Sequence, residues 1–464
     1  MSRSSFHPES TDLSPTLVRR LGPLDGASLI VSNVIGGGIF LVPTLIAQWV
    51  PEFWAMLGAW LVGGFLAFTG AMAYAELAVL RPRAGGEYVY LREAFGPVVG
   101  FLTGWTSFVA GFSGAIAAGA VGLASYLGRF FPSASDASVL AHVDLPFITL
   151  SVSAQALVAL AAIWVLTMVH IVGLGPGRVV QNTLAGIKVA VLVLFVTLGF
   201  FFGEGSISNI SASTGSVTPS LWLLALIPIM FSFSGWNAAT YVAEETYDPV
   251  RNIPVAMVIG TVIVIVIYLL LNVLYVYALP LNELSMVDIR VVDASAERLF
   301  GPRVAGPLAA LSVIMLAASI SAMVLTGPRV YYAMARDGLF FSDAARVHQR
   351  FRTPITAILA QSSWSSVLVL AGTFDQLLLY TGFAVVLFSG LAVAALFVFR
   401  RRLPSTKREF QAWGYPIAPL IFVVASFAMV ANAIWREPAA SGAGLVVIGA
   451  GLPVYGFLRR RRNS

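Results

Sequence analysis

Cysteine is absent from the 464 residues, so disulfides, thiolate nucleophiles and thiolate-bound metals are excluded. Charge is scarce: Asp, Glu, Lys and Arg make up 11% of the chain, where a soluble domain carries about a quarter. So few polar side chains cannot cover a water-facing surface of this size, and at 58% hydrophobic residues the solvent for much of the chain must be lipid. There is no GxxxxGK run followed by Ser or Thr, so ATP hydrolysis in cis is not expected. Gly173-Leu-Gly-Pro-Gly177 is glycine-rich, but no strand precedes it, and it reads as a tight turn between membrane helices. Only four histidines occur; His7, His142, His170 and His348 fall in the tail, in loops or at a span end, which leaves no metal site and no buried histidine relay. No nucleophile–base pair lies within the apolar runs, so an enzyme is not expected, nor is any cofactor. The first twenty residues lack the apolar core of a cleavable signal and read as a short cytosolic tail.

What is present is a succession of apolar runs. Segments long enough to cross about 30 Å of hydrocarbon fall near 24–48, 54–80, 97–131, 146–170, 178–203, 220–244, 254–280, 303–329, 354–373, 375–399, 415–435 and 440–458. The expected class is an all-α membrane protein with 12 transmembrane helices. A tail (1–23), one transmembrane domain (24–458) and a basic cytosolic tail (459–464) make up the layout.

The formal net charge of +6 suggests nucleic acid until the charges are placed. With the N-terminus inside, alternate loops on the inner side hold 22 Lys and Arg, while the outer side holds only Arg129, Arg290, Arg298, Arg303 and Arg436. That asymmetry is the signature of a multi-pass protein with both termini in the cytosol. It points to a bacterial inner (plasma) membrane, and it makes nucleic acid an unsuitable partner. Lipid is the one extended partner required; nothing in the sequence calls for an obligate protein partner.

Span one carries Val34-Ile35-Gly36-Gly37-Gly38 in mid-membrane. Each glycine costs a helix about 1 kcal/mol relative to Ala, and three in a row point around the whole helix, which suits unwinding better than packing. Glycines at 96, 100 and 104, spaced by four, instead suit close helix packing. Span six has a counterpart, Phe231-Ser-Phe-Ser-Gly-Trp-Asn237, after Pro228. Five spans separate the two breaks, an odd number, so the broken helices cross in opposite senses. Paired breaks in two inverted halves are the best sequence pointer to a transporter's central site. Unwound backbone in a membrane must line a cavity. The half-helix after Gly38 offers free N–H groups suited to a carboxylate. The half-helices ending near Val34 and Phe231 offer carbonyls suited to an ammonium. Together they match the α-groups of an amino acid.

These residues resemble the amino acid–polyamine–organocation superfamily, and within it the L-type amino-acid transporter branch. The likeness runs through Tyr74-Ala-Glu76 to Arg81-Pro-Arg-Ala-Gly-Gly-Glu87-Tyr-Val-Tyr90 and Phe95-Gly96, through Phe231 to Asn237 and on to Glu244-Glu245. It continues in Val180-Gln181 with Lys188, and in Gly327-Pro-Arg329 to Arg336-Asp-Gly338. The resemblance implies a five-plus-five inverted repeat, about 24–203 and 220–399, with two extra helices at about 415–458. It implies that the substrate is read by Val34, Ile35, Gly36, Gly37, Gly38, Phe231, Ser234, Gly235, Trp236 and Asn237. The carboxylate would fall on the N–H groups of Gly37 and Gly38, and the ammonium on the carbonyls of Val34, Phe231 and Ser234, with Phe231 as a lid. Gly37 stands where the family usually has Ser, so a hydroxyl contact is lost. Phe383-Ala-Val-Val386 lacks the polar and Trp residues common in span ten.

Lys188 lies too deep in span five to reach either interface, and an intramembrane charge is a functional residue by default. The resemblance implies that its ammonium replaces the sodium ion of related transporters, with proton coupling as another physical option. Glu76, Glu244 and Glu245 fit gate salt bridges. Trp236 fits packing or a substrate wall equally. No acid lies in the middle third of any span, which favours neutral amino acids. A transporter of cationic amino acids or polyamines, and a receptor that binds without transport, are the alternatives.

Overall fold

The computed structural model describes residues 17–463 apart from 146–147, 212–214, 288–290 and 373; most of the expected N-terminal tail, Arg290 and Ser464 lie outside these. Among the described residues nine helices are long and apolar enough to cross a membrane, and ten if one bent pair counts as a single span. That pair is Pro23–Val34 and Gly38–Trp49, bent by 47° at the three glycines. Two apolar helices, Pro219–Ser232 and Ile355–Ala371, occupy the expected sixth and ninth positions but are shorter.

Local chemistry sets the helix starts. Proline fills the first helical turn at Pro23, Pro97, Pro219, Pro249 and Pro438, where its missing N–H is no loss. Glu52 accepts from the N–H groups of Trp54 and Ala55 at 3.0 and 2.6 Å, and Ser153 from that of Ala156 at 3.1 Å.

Several boundaries differ from the sequence reading. The fourth span starts only at Ala154, because Val139–Leu145 and Ile148–Ser153 pair as an antiparallel hairpin. Apolar residues alternating with polar ones (Ile148-Thr-Leu-Ser-Val-Ser153) favour a strand, and apolarity alone joins them to the helix. Span three, Pro97–Leu127, contains a π-helical turn at Ser107–Gly111. Span eight continues past the expected end, to Arg336. Gly100 and Gly104 do lie against Arg92 and Met334, but Gly96 has φ +97° and is a junction between helices, not a packing position. Gly173, at φ +140°, forms the expected tight turn.

The buried apolar residues form two large cores. One gathers spans one, two, five, six, seven, ten, eleven and twelve together with one face of span eight; the second gathers span four with the facing parts of spans three, eight and nine. The two halves of span one belong to different surroundings. Pro23–Val34 packs on span seven (Pro249–Ala278), span five (Leu174–Phe202) and span eight (Ala305–Arg336). Gly38–Trp49 packs instead on Pro219–Ser232 and on the short helices Leu281–Leu284 and Val291–Phe300. The first half is therefore docked onto span eight, while the second half leans away from it.

Candidate functional site

The two breaks lie side by side and run antiparallel. A Cβ on Gly235 would meet Cβ of Asn33 at 2.7 Å, and one on Gly38 would meet Cα of Ser232 at 2.9 Å. The N-terminal end of one break thus touches the C-terminal end of the other, at both contacts. Glycine is required at both contacts, and at Gly235 also because its φ is +106°.

Backbone bookkeeping at the breaks defines what they offer. Among the described residues no acceptor takes the N–H of Gly36, Gly37, Gly38 or Ile39. Gly37 is exposed, and a Cβ there would find only Leu41 at 3.9 Å, so it faces open space. On the carbonyl side the expectation is partly altered. The Phe231 carbonyl accepts from Ser234 N–H at 2.9 Å, and that of Val34 from Tyr268 Oη at 2.8 Å. Each oxygen keeps a second lone pair; the Ser234 carbonyl has no donor among the described residues. Tyr268, fully buried on span seven, also lies 2.9 Å from the Ser232 carbonyl and so ties both breaks together. Sequence reasoning missed it, because one tyrosine in the run Val262-Ile-Val-Ile-Val-Ile-Tyr268 carries no local signal.

Lys188 sits at the midpoint of Leu174–Phe202 and is fully buried. Its Nζ donates to the carbonyls of Ile35 at 2.5 Å and Ser32 at 3.2 Å, and to Ser319 Oγ at 2.9 Å. The amine is thereby held against the carbonyls that span one frees where it unwinds, with span eight supplying the third oxygen.

On the side of the breaks where span one begins and span six ends, charged pairs link the spans. Arg329 makes a two-pronged pair with Glu245, both bonds 2.9 Å and the side chains 1% and 0% exposed. Glu244 pairs with Arg336 at 2.9 Å, and Glu76 with Arg400 and Arg408 at 2.7 and 3.3 Å. The Glu245 carbonyl accepts from Arg20 and Leu21 N–H at 2.8 and 3.0 Å, fastening the chain before span one to the end of span six. His170, expected at a span end, is there but buried, with Nε2 2.9 Å from Ser321 Oγ.

Of the residues named from the sequence, Gly36, Gly37, Gly38, Phe231, Ser234 and Gly235 keep solvent contact, while Val34 and Ile35 are buried and contribute through the backbone. The Trp236 ring is 2% exposed and packs edge-on against Tyr74 and Phe422, centroids 4.7 and 6.0 Å apart. Of its two sequence readings, packing is the one this geometry matches. Asn237 is buried too, its amide donating to Glu87 and Tyr241 at 3.3 and 3.0 Å. Phe233 is buried between Trp60 and Tyr268.

Two antiparallel breaks, unpaired N–H groups and a buried lysine against the unwound turn define a class: a helical membrane transporter built on broken spans. A family model described as amino acid permease matches residues 21–453. The chain belongs to that amino acid permease family, within the amino acid–polyamine–organocation superfamily. It is 28% identical over 453 residues to the serine/threonine exchanger SteT of Bacillus subtilis (strain 168), covering 97% of this chain and 98% of that protein. It is equally 28% identical to the Asc-type amino acid transporter 1 of Mus musculus, over 95% of this chain and 81% of the relative. The large neutral amino acids transporter small subunit 2 of Homo sapiens is 28% identical, over 95% and 80% of the two chains.

Proposed function

We propose that this chain is a sodium-independent transporter of neutral, small to medium amino acids, working by alternating access as an exchanger or with proton-coupled uptake. The observation that carries the reading is the antiparallel apposition of the two breaks, Asn33 to Gly235 and Ser232 to Gly38, beside unpaired N–H groups at Gly36 to Ile39. N–H donors on one side and the Ser234, Val34 and Phe231 carbonyls on the other suit a carboxylate and an ammonium. Phe231 and Ser234 then remain to meet the substrate side chain, with Phe231 as lid. A Cβ added at Gly382 of span ten would come into van der Waals contact with Phe231 at 3.8 Å, so that ring lies beside a bare glycine.

Neither broken span carries an acid between Asp25 and Glu244, so a cationic side chain would be buried there unpaired at high cost. The relatives' names, an exchanger for serine and threonine and a transporter for large neutral amino acids, support the same substrate class. In this reading Lys188 takes the place of a coupling sodium. The second core, of spans three, four, eight and nine, is the frame against which the broken spans rock. The twelve spans form a five-plus-five inverted repeat plus two helices, with both termini in the cytosol of a bacterial inner membrane, and no catalytic activity accompanies transport. The human relative is named a small subunit; the mass of the purified complex decides whether this chain works without a second subunit.

Uptake of labelled L-serine into proteoliposomes, competed by alanine, leucine, arginine and glutamate, is the test. Alanine and leucine are expected to compete. Arginine as the best competitor would replace the neutral reading with the cationic one, and binding without accumulation would make the protein a receptor.

A further inference from the structure

Seven buried or half-buried carboxylates surround the cytosolic side of the breaks. Six have a basic partner: Asp25 with Arg178, Glu76 with Arg400 and Arg408, Glu93 with Arg81, Glu244 with Arg336, Glu245 with Arg329, and Asp337 with Arg83 and Arg92. Glu87 is the seventh, and among the described residues no basic side chain lies within ion-pair distance of it. Its partners are neutral. Tyr74 Oη donates to Oε2 at 2.8 Å, Asn237 Nδ2 at 3.3 Å, and the Tyr241 hydroxyl joins them.

Glu87 opens the loop helix Glu87–Phe95, outside the spans, and keeps partial solvent contact although protein encloses it. Span two brings Tyr74 and the Arg-bound Glu76, span six brings Tyr241, and the loop helix itself brings Tyr90 and the Asp337-bound Arg92. Span eight brings Tyr331, and span ten brings Arg400, which is held by Glu76. None of them supplies Glu87 with a free cation. Burial pushes its carboxyl above the ordinary carboxylate range, against the opposing pull of the two tyrosine hydrogen bonds.

We propose that Glu87 binds the coupling proton and that Asn237 links it to the substrate site. This rests on the transporter reading, in which Asn237 stands two residues past the Gly235 break. The amide of Asn237 spends its two hydrogens on Glu87 and Tyr241. When bound substrate draws that amide toward the break, the ionised carboxylate loses a donor and its neutral form is favoured. A proton from water then adds to a carboxylate oxygen, and it returns to water when the substrate leaves. Coupling through a shared partner is reciprocal: substrate binding takes up a proton, and low pH tightens substrate binding. The sign follows from the raised carboxyl. Affinity is greatest below the pKa of the free state and falls as pH rises through that of the bound state, by at most about tenfold per pH unit for one linked proton.

The test uses full-length protein in lightly buffered detergent with L-serine and L-leucine as probes. Wild type is expected to take up a fraction of a proton per bound amino acid, and its Kd is expected to weaken with rising pH. Glu87→Gln should bind with a Kd flat in pH and no proton uptake, and Glu87→Asp should keep the pH dependence with a displaced midpoint. Binding by wild type with no proton exchange between pH 5 and 8 overturns the inference without needing any variant to fold, as does equal uptake by Glu87→Gln. Absence of all amino-acid binding and transport removes the transporter reading and this inference with it, whereas transport without proton exchange removes the inference alone.

Discussion

Replacing Arg329 by methionine is expected to unlatch the cytosolic side. The wild-type pair is two-pronged and dry, with 2.9 Å bonds on both prongs and side chains 1% and 0% exposed. Removing one partner of such a pair leaves a buried, uncompensated carboxylate at a cost of about 3–5 kcal/mol. Opening the cytosolic side rehydrates Glu245, so the penalty falls on the closed state alone. At about 1.4 kcal/mol per decade the closed-to-open ratio should drop by about two to three and a half orders of magnitude. Because the chain has no cysteine, a single introduced Ser234→Cys is the only thiol a maleimide can find. In inside-out vesicles an impermeant maleimide should label that cysteine slowly in the otherwise wild-type background and rapidly with Arg329→Met. Arg329→Met combined with Glu245→Met leaves no orphan charge and should slow labelling again. If Arg329→Met protein remains in the membrane and labels no faster than its parent, the pair does not hold the gate.

Three further outcomes are expected. Lys188→Ala removes the cation from the Ile35 and Ser32 carbonyls, each charged bond worth about 1.5–3 kcal/mol, so substrate affinity should fall by about a hundredfold or more while the protein still reaches the membrane. Wild-type uptake should be the same in choline as in sodium, and strong sodium stimulation would contradict the role given to Lys188. Gly37→Leu projects into open space, so the melting temperature should hold while substrate binding is lost, and amino-acid methyl esters and N-acetyl derivatives should compete poorly with wild-type substrate; a variant that still binds would move the carboxylate site elsewhere. Tyr268→Phe strips the Val34 and Ser232 carbonyls of their shared donor, costing about 1–3 kcal/mol, and should lower both melting temperature and affinity; wild-type values for both would remove its tie between the breaks.

The parts of this molecule legible in its sequence are those where composition contradicts surroundings. Lys188 in an apolar run, and glycines and polar residues at mid-membrane, are costly in lipid, so their presence demands a reason, and the reason is local enough to read. Glu244 and Glu245 are legible as gate acids by their distance from the Gly235 break and Glu76 by its place near the end of span two, although the arginine partners of Glu76 lie as far as 332 residues away in sequence. Tyr268 and His170 were not legible. Each is an ordinary residue in an apolar helix, and its role exists only through what another span brings to it. The hairpin at 139–153 was missed for a different reason: short apolar runs do not distinguish strand from helix by hydrophobicity. Trp236 was ambiguous because an aromatic beside a break fits a wall or a wedge equally, and only the positions of Tyr74 and Phe422 decide between them.

The inner half of span one is twelve residues long, which makes it a rod of about 18 Å. It is hinged at three glycines and pinned there by Lys188. Its free end carries the Arg20 and Leu21 hydrogen bonds to Glu245. A tilt of about 10° at the hinge carries that far end through roughly 3 Å, enough to break both bonds, while the hinge itself hardly moves. The arrangement works as a lever. A small rearrangement at the glycines is magnified at the end held by Glu245, and any load fixed to the N-terminus acts there with the longest arm available.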